Sequence, residues 1–225
     1  MSAMAAAQTV PAGRDLRREL LDAAAALIAE SGPGAVSLRE IARRCGVSHA
    51  APAHHFADRA ALLAALATEG FQGLADALTA AGDAERGDAT ARLMALGRAY
   101  VTYAAGAPGH FPVMFRPELV DCDDVALLEA RMLAFRRLEE AVAAAQGEGW
   151  AAGATRDAAV LTAWTSVHGL ATLWLDGALP PPLGGRDLDA LALAVCDLVG
   201  SAGGVRQRAA QAGSRRDTGP PIDTT

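Results

Sequence analysis

The segment from Ser37 to Phe56 constrains the fold more than any other part of this sequence, because it places two helix starts on either side of a glycine turn. Its first four residues, Ser-Leu-Arg-Glu, form a capping box, in which the serine and glutamate side chains satisfy free N–H groups at a helix start. Cys45-Gly46 ends this helix after about two turns, and Ser48 can cap the next one. Two short helices joined by a glycine turn of this length indicate a helix-turn-helix.

The remainder of the chain is also predicted to be helical, so the expected fold class is all-α. Alanine fills about a quarter of the chain and all 20 basic residues are Arg, and both are strong helix formers. No run of alternating β-branched residues indicates a strand. Helices are predicted over 14–31, 37–45, 48–56, 58–81, 88–105, 123–146, 157–177 and 187–199, with a short punctuated piece over 109–115.

These helices divide into an N-terminal helix-turn-helix domain over 14–74 and a helical ligand-binding and dimerisation domain over 75–206, joined by the long helix that begins after Asp58. Residues 1–13 are expected to form a disordered arm, and residues 207–225 a disordered tail. Residues 14–59 carry seven Arg against six acidic residues, whereas residues 60–206 carry ten against 18. With a net charge of −6, only a local surface of this chain can attract an anionic polymer.

Cysteine usage and apolar runs favour a cytoplasmic protein that does not cross a membrane. Cys45, Cys122 and Cys196 are odd in number and far apart, which fits reduced thiols better than a disulfide framework. Residues 1–13 lack the basic start of a secretory signal. The run over 158–175 has no charge but includes Thr, Ser, His and Gly, so we interpret it as a helix buried between protein surfaces.

Residues 14–74 resemble the DNA-binding domain of TetR-family transcriptional regulators. The resemblance lies in the Ser-Leu-Arg-Glu-Ile-Ala helix, the Gly-Val-Ser turn, the His-His-Phe ending at Phe56 and the long helix that follows. Trp164, His168 and Gly169 resemble the C-terminal domain of the subgroup named for its Trp…His-Gly motif. Together the two matches extend from residue 14 to about 200 and imply a homodimer that binds a double-stranded DNA operator.

The resemblance implies DNA contacts on the helix-turn-helix. Ser48, His49, Ala50 and Pro52 are expected to face base edges in the major groove. Phosphate contacts are expected from six residues: Ser37, Arg39, Arg43, Arg44, His55 and Arg59. For each of Arg39, Arg43 and Arg44, a solvated position without DNA contact remains open.

One position departs from the family pattern. Ala53 stands two residues before His55, where the family normally has a Tyr that packs its ring and contacts a phosphate. The departure predicts weaker DNA binding, or binding that depends more on the arginines. It also keeps an alternative function open, in which a helical small-molecule sensor or interaction protein of this fold has weakened or lost its DNA binding.

The second domain is predicted to bind a small apolar or aromatic molecule. Although the chain has few aromatic residues, most of them gather here, as a concave apolar site requires. The candidate ligand-binding residues are Tyr100, Tyr103, Phe111, Met114, Phe115, Met132, Phe135, Trp164 and His168. A role in the core or the dimer interface is the alternative for each of them, and for Trp164 and His168 it is slightly favoured.

The predicted function is therefore ligand-responsive transcriptional regulation by a repressor. The last two helices are too apolar for one-sided burial and are expected to form a four-helix bundle with their copies in a homodimer. The dimer would place two recognition helices about one DNA turn apart, on a pseudo-palindromic operator, and ligand binding would release it. No catalytic motif, metal-ligand spacing or cofactor motif is present, so neither an enzyme nor a metal or cofactor site is predicted.

Overall fold

A computed structural model of the protein describes residues 15–214, and the side chains of residues 15–201. All regular structure in this range is helical, so the all-α prediction is confirmed. The predicted arm over 1–13 and the last part of the predicted tail, 215–225, lie outside the described residues.

The N-terminal part, residues 15–58, is called the head here. It contains α1 (Leu16–Ser31), a 3₁₀ turn (Pro33–Ala35), α2 (Leu38–Arg44) and a second 3₁₀ turn (Ala51–His54). The long helix α3 (Arg59–Ala84) leaves the head and enters the rest of the chain, which is called the body. The body contains α4 (Ala89–Gly106), α5 (Phe111–Met114), α6 (Val125–Gly147), α7 (Arg156–Leu175), α8 (Pro181–Gly184) and α9 (Leu188–Ser214).

Short polar side chains begin most of the long helices. Ser37 accepts a hydrogen bond from the Glu40 N–H, and Asp58 accepts one from the Ala61 N–H at 2.9 Å. Asp15, Asp88, Asp124 and Thr155 cap α1, α4, α6 and α7 in the same way. Each cap satisfies one N–H that has no partner within the helix, which is worth about 1 kcal/mol.

The main difference from the prediction lies in residues 48–56, which were expected to form a third α-helix with Ser48 as its cap. This segment forms one 3₁₀ turn instead, in which Ala51 N donates to Ser48 O at 3.0 Å and Ala53 N donates to Ala50 O at 3.2 Å. Pro52 has no N–H and so cannot donate the bond that an α-helix requires at its position. The Ser48 hydroxyl does not cap this turn. The residues predicted to face DNA therefore lie on a tighter and shorter element than expected.

Other differences lie at the end of the chain. The sequence does not predict α8, which begins with two prolines, residues that fit the first turn of a helix. Helix α9 is predicted to end at Val199, but it continues to Ser214 and passes through the predicted domain boundary at 206. Alanine, arginine and glutamine after residue 204 are good helix formers and explain the extension.

Helix α3 belongs to the cores of both head and body. Its buried side chains run from Leu62 to Leu78, and it packs against α1, α4, α5 and α6. Helix α4 forms the next layer and packs against α7 and α9. Helix α7 is the one helix among residues 15–201 that is long and apolar enough to cross a membrane. Its packing against α4, α6 and α9 fits a helix of the folded body instead.

The head also meets the body just before α5. A Cβ atom on Gly109 would clash with the Ala25 carbonyl oxygen of α1, so only glycine permits this approach. Beside it, Glu69 of α3 accepts a hydrogen bond from Arg18 of α1 at 2.7 Å and lies 3.6 Å from His110 Nε2. Helix α5 begins directly after His110 and is thus connected to α1 by backbone packing and through the Glu69 carboxylate, which contacts both Arg18 and His110.

The substitution Gly109→Ala is expected to destabilise the protein by about 1–3 kcal/mol, because the added methyl group meets rigid helix backbone. The free energy of unfolding in urea measures the effect. Gly106→Ala is the matched control: a Cβ there meets nothing within 4 Å, so this change should be neutral or slightly stabilising. Equal stabilities for the two variants would contradict the close approach.

Candidate DNA-binding head and ligand cavity

The residues predicted to face DNA are mostly exposed at one edge of the head. Ser48, His49 and Ala50 are exposed in the turn that precedes the second 3₁₀ turn, and His55 is exposed directly after it. Their contacts with DNA stay predictions. Pro52 is different, since its ring is fully buried. The prediction that Pro52 faces a base is therefore wrong, and its role is to pack against the rest of the head.

Two of the predicted phosphate-binding arginines are already paired with acidic side chains. Arg43 donates two hydrogen bonds to Glu40, at 2.8 and 2.6 Å. Arg44 donates two to Glu30, at 3.2 and 2.8 Å, and one to Glu40 at 3.3 Å. Hydrogen bonds from Arg43 and Arg44 lower the pKa of Glu40 to about 2. Any phosphate contact by Arg43 or Arg44 thus competes with the Glu30 and Glu40 carboxylates.

Arg39 has no ion pair with any residue of the described range, and it is exposed. It lies on α2 one turn before Arg43, next to the Ser37 cap at the start of that helix. The N-terminus of a helix favours anions through its free N–H groups and its dipole. Of the arginines predicted to contact phosphate, Arg39 is therefore the one whose charge is fully available.

Arg59 holds the head together from within. Its Nε donates to the Val36 carbonyl at 2.9 Å and its terminal nitrogen to the Pro33 carbonyl at 2.8 Å. These bonds tie the loop between α1 and α2 to the start of α3. Arg59 therefore has a structural role, and its contact with a phosphate stays a prediction.

Arg17 is a cation of this edge that sequence reasoning missed. Its guanidinium lies 5.3 Å from the centre of the Phe56 ring, a cation–π contact. Arg17 itself is exposed. The contact joins the start of α1 to Phe56, just after the second 3₁₀ turn (Ala51–His54), which is called the recognition turn here. Because these residues are distant in sequence, no local pattern could have indicated the contact.

The body contains a cavity of about 530 Å³ that is partly open to solvent and lies between α3, α4, α5, α6, α7 and α9. A volume of this size is typical of sites for small organic ligands. Its walls are mainly aliphatic and aromatic, with leucines from α3, α4, α6 and α7 that the sequence analysis did not single out. These missed lining residues are Leu74, Leu78, Leu93, Leu96, Leu138 and Leu161.

Seven of the nine predicted ligand-binding residues line this cavity: Tyr100, Met114, Phe115, Met132, Phe135, Trp164 and His168. Tyr103 and Phe111 do not line it, and their roles in ligand binding stay predictions. The Tyr103 hydroxyl donates to the Gly70 carbonyl of α3 at 2.7 Å, so its ring packs on that helix. Phe111 is buried behind the wall, with its ring centre 5.9 Å from that of Tyr100.

Tyr100 and His168 form the polar pair of the cavity, with 2.8 Å between the Tyr100 hydroxyl oxygen and His168 Nδ1. Burial lowers the pKa of His168. Burial also raises the pKa of Tyr100, and a hydrogen bond with the Trp164 side chain offsets only part of that rise. Both groups are thus uncharged near neutral pH. If the Tyr100 hydroxyl donates to Nδ1, the remaining imidazole proton is on Nε2 and can serve a ligand as a donor.

Arg131 and Cys196 are titratable residues that line the cavity and that the sequence analysis did not predict. The Arg131 guanidinium lies 5.5 Å from the centre of the Phe71 ring. Burial raises the pKa of the Cys196 thiol to about 11, which leaves it protonated and poorly nucleophilic at neutral pH. Within the described residues, no three His, Cys, Asp or Glu side chains are placed to hold a metal ion.

Both parts of the chain match families of known proteins. Residues 20–66 match the family described as "Bacterial regulatory proteins, tetR family". Residues 93–199 match the family described as "Tetracyclin repressor-like, C-terminal domain". The chain belongs to the TetR family. The assignment to the subgroup with the Trp…His-Gly motif stays a prediction.

Solved structures agree with the family assignment. The chain is 33% identical to a protein with unknown function from Rhodococcus sp. RHA1, with a TM-score of 0.73 over 86% of this chain and 98% of that one. A regulatory protein in the tetR family from Rhodococcus RHA1 is 23% identical, with a TM-score of 0.66 over 84% and 97%. The fatty acid degradation regulator FadR from Bacillus halodurans shares the fold at 18% identity and a TM-score of 0.66, over 83% and 95%. A comparison with curated protein sequences finds no match.

Stability is expected to depend on pH through His168. Burial lowers its pKa in the folded protein, so below the unfolded pKa of about 6.5 the unfolded chain binds a proton that the folded chain does not. The free energy of unfolding should therefore fall between pH 7 and pH 5, and fall less in His168→Asn. Urea unfolding at a series of pH values tests this. Identical pH profiles would show that His168 titrates normally in the folded state.

Proposed function

We propose that this TetR-family protein is a transcriptional repressor that binds a pseudo-palindromic operator as a homodimer and leaves it when an apolar or aromatic small molecule enters the body. The observation that carries the proposal is the position of α5. This helix supplies Met114 to the cavity wall, and the residues just before it, Gly109 and His110, contact α1 of the head and Glu69. One short element thus touches both the ligand site and the DNA-binding part.

Helix α5 is expected to move as a unit because it is closely packed at two places. The first is the contact of Gly109 with Ala25 of α1, and the second is the contact of Met114 with Gly70 of α3. A Cβ on Gly70 of α3 would lie 2.7 Å from the Met114 sulfur, so α5 and α3 are packed closely. A ligand that displaces Met114 or Phe115 would push α5 against both α3 and α1. Such a displacement changes the angle of the head, and a ligand that binds one angle better than the other shifts the equilibrium.

A homodimer is supported by the outer faces of α7 and α9. Leu161 and Leu173 on α7 are 53% and 45% exposed, and Leu193 and Leu198 on α9 are 46% and 71% exposed. The two helices pack against each other, so these exposed leucines lie on adjoining helices and leave apolar surface open in a single chain. A second copy of the chain would bury this surface as a four-helix bundle, as the sequence predicts.

A second candidate function is a sensor of the same fold with weak DNA binding. The specific observation that favours it lies in the head, where the recognition segment is a single 3₁₀ turn and Arg43 and Arg44 are paired with glutamates. Ala53 also lacks the ring that the family usually presents. We favour the repressor because Arg17 and Arg39 are both exposed, and neither has an ion pair with another residue of 15–201. Three exposed side chains that can form hydrogen bonds, His49, His54 and His55, lie in the same part of the head.

DNA binding is tested by fluorescence anisotropy with duplex fragments from the region upstream of the protein's own gene. Arg39→Gln is expected to weaken binding and to reduce the slope of log affinity against log salt by about one for each head. Arg136→Gln is the control, because Arg136 is exposed on α6, far along the chain from the head. Wild-type protein that binds none of these fragments at low salt would favour the sensor.

Dimerisation is tested by the substitution Leu198→Glu, with Val125→Glu as the matched control. Both side chains are largely exposed in one chain, at 71% and 67%, but Val125 lies at the start of α6 and outside the α7–α9 face. Burying a leucine contributes about 1.5–3 kcal/mol, and the two-fold dimer contains the position twice. Sedimentation equilibrium at micromolar concentration should give a monomer for Leu198→Glu and a dimer for the control. A monomeric wild type would contradict this interface.

A further inference from the structure

We propose that the cavity selects apolar molecules that carry a carboxylate, and that the guanidinium of Arg131 binds this carboxylate. The proposal rests on the ligand-responsive function above and adds the chemical class of its ligand. It makes Arg131 the residue that determines specificity, a role that the sequence analysis did not assign to it.

The charge of the cavity wall is the first argument. Among the described residues that line the cavity, Arg131 is the one with a formal charge, and no Asp or Glu lines it. The other titratable lining groups are uncharged at neutral pH, since burial lowers the pKa of His168 and raises that of Cys196. A ligand in this cavity therefore meets aliphatic and aromatic surface and a single cation.

The position of the guanidinium is the second argument. It lies 5.5 Å from the centre of the Phe71 ring, and Phe71 is buried at 2% exposure and lines the same cavity. The charge is thus held against the cavity wall by a ring. Stacking of this kind leaves the N–H groups at the edge of the guanidinium plane available for a carboxylate.

The absence of an internal partner is the third argument. Two other arginines of the body have acidic partners: Arg137 lies 3.3 Å from Glu140, and Arg98 lies 3.9 Å from Glu85. Arg131 has no ion pair with any residue over 15–201. A half-buried arginine without a carboxylate of its own can accept one from a ligand without first losing a protein contact.

Desolvation then selects the ligand. A molecule that fills the cavity removes water from the guanidinium, and a purely apolar molecule offers nothing in exchange, which is unfavourable. A carboxylate replaces that water with two parallel charge-assisted hydrogen bonds. The apolar remainder of the ligand can lie against the leucines and aromatic rings that make up the rest of the wall.

The experiment compares acids with their matched alcohols by isothermal titration calorimetry on the full chain. Dodecanoate is paired with dodecanol and 4-phenylbutanoate with 4-phenylbutanol, all below concentrations at which micelles form. At least one acid should bind about 10- to 100-fold more tightly than its alcohol, the range expected for hydrogen bonds to a charged group. Arg131→Gln should remove this preference and leave the affinity for the alcohol unchanged or higher.

Arg136→Gln is the matched control, as it removes the same charge from the same helix at a position that does not line the cavity. Arg131→Lys, which keeps the charge but loses the planar fork, should retain part of the preference. Thermal unfolding of each variant checks that it is folded. Equal binding of acid and alcohol by the wild type, equal losses in Arg131→Gln and Arg136→Gln, or no binding of either acid would each overturn the proposal.

The experiments can distinguish a failure of the carboxylate proposal from a failure of the repressor proposal. If an acid binds through Arg131 but leaves the affinity for the operator fragment unchanged, the ligand class stands and the proposed release from DNA fails. If the protein binds the operator fragment but neither acid, the ligand class alone fails. The two measurements use the same protein preparation and independent readouts.

Discussion

Helix α3 is the constraint on which the rest of the structure depends, because one helix has to be buried by the head at one end and by the body at the other. Its 26 residues carry buried side chains from Leu62 to Leu78, so it cannot tilt without disturbing both cores. Close packing makes protein interiors resist small continuous deformations and favours discrete rearrangements. A head attached to such a helix responds to changes in the body as a rigid unit. The contact of α1 with Gly109 adds a second connection, so the angle of the head is set at two points.

The electrostatics of the two parts differ in a way that suits this arrangement. The body is strongly acidic, whereas the head combines exposed arginines such as Arg17 and Arg39 with arginines held by Glu30 and Glu40. Exposed ion pairs of this kind contribute little to stability and are screened by salt. Their main effect in the head is to limit how much positive charge is available to DNA. A phosphate that approached Arg43 or Arg44 would compete with a carboxylate, and the recognition turn would then depend more on side chains at its exposed edge, such as His49.

The extent to which the sequence predicts the structure follows the range of the interactions involved. Helix starts at Ser37, Asp58 and Asp88 were predicted because caps are local and repeat a simple hydrogen-bond pattern. The recognition segment was not, because one proline decided between an α-helix and a 3₁₀ turn. Most of the cavity-lining aromatics were predicted from their clustering in one domain. The sequence could not show that Tyr103 and Phe111 lie outside the cavity lining, because only the packing of α3, α4 and α5 decides which side of a wall a ring occupies. The same holds for Arg59 and Arg131, whose partners are distant in sequence.

The cavity itself supports a ligand-binding function over a purely structural one. An apolar core gains stability from dispersion contacts, and open volume of about 530 Å³ forfeits them. A chain with so many alanines could have filled this space with larger side chains at low cost in helix propensity. Leu161 lines the cavity and is also exposed on the face that we assign to the dimer, so the ligand site borders the surface where a second copy would pack. A molecule that fills the cavity would therefore contact or lie close to every surface that moves in the proposed switch: α3, α5 and the dimer face.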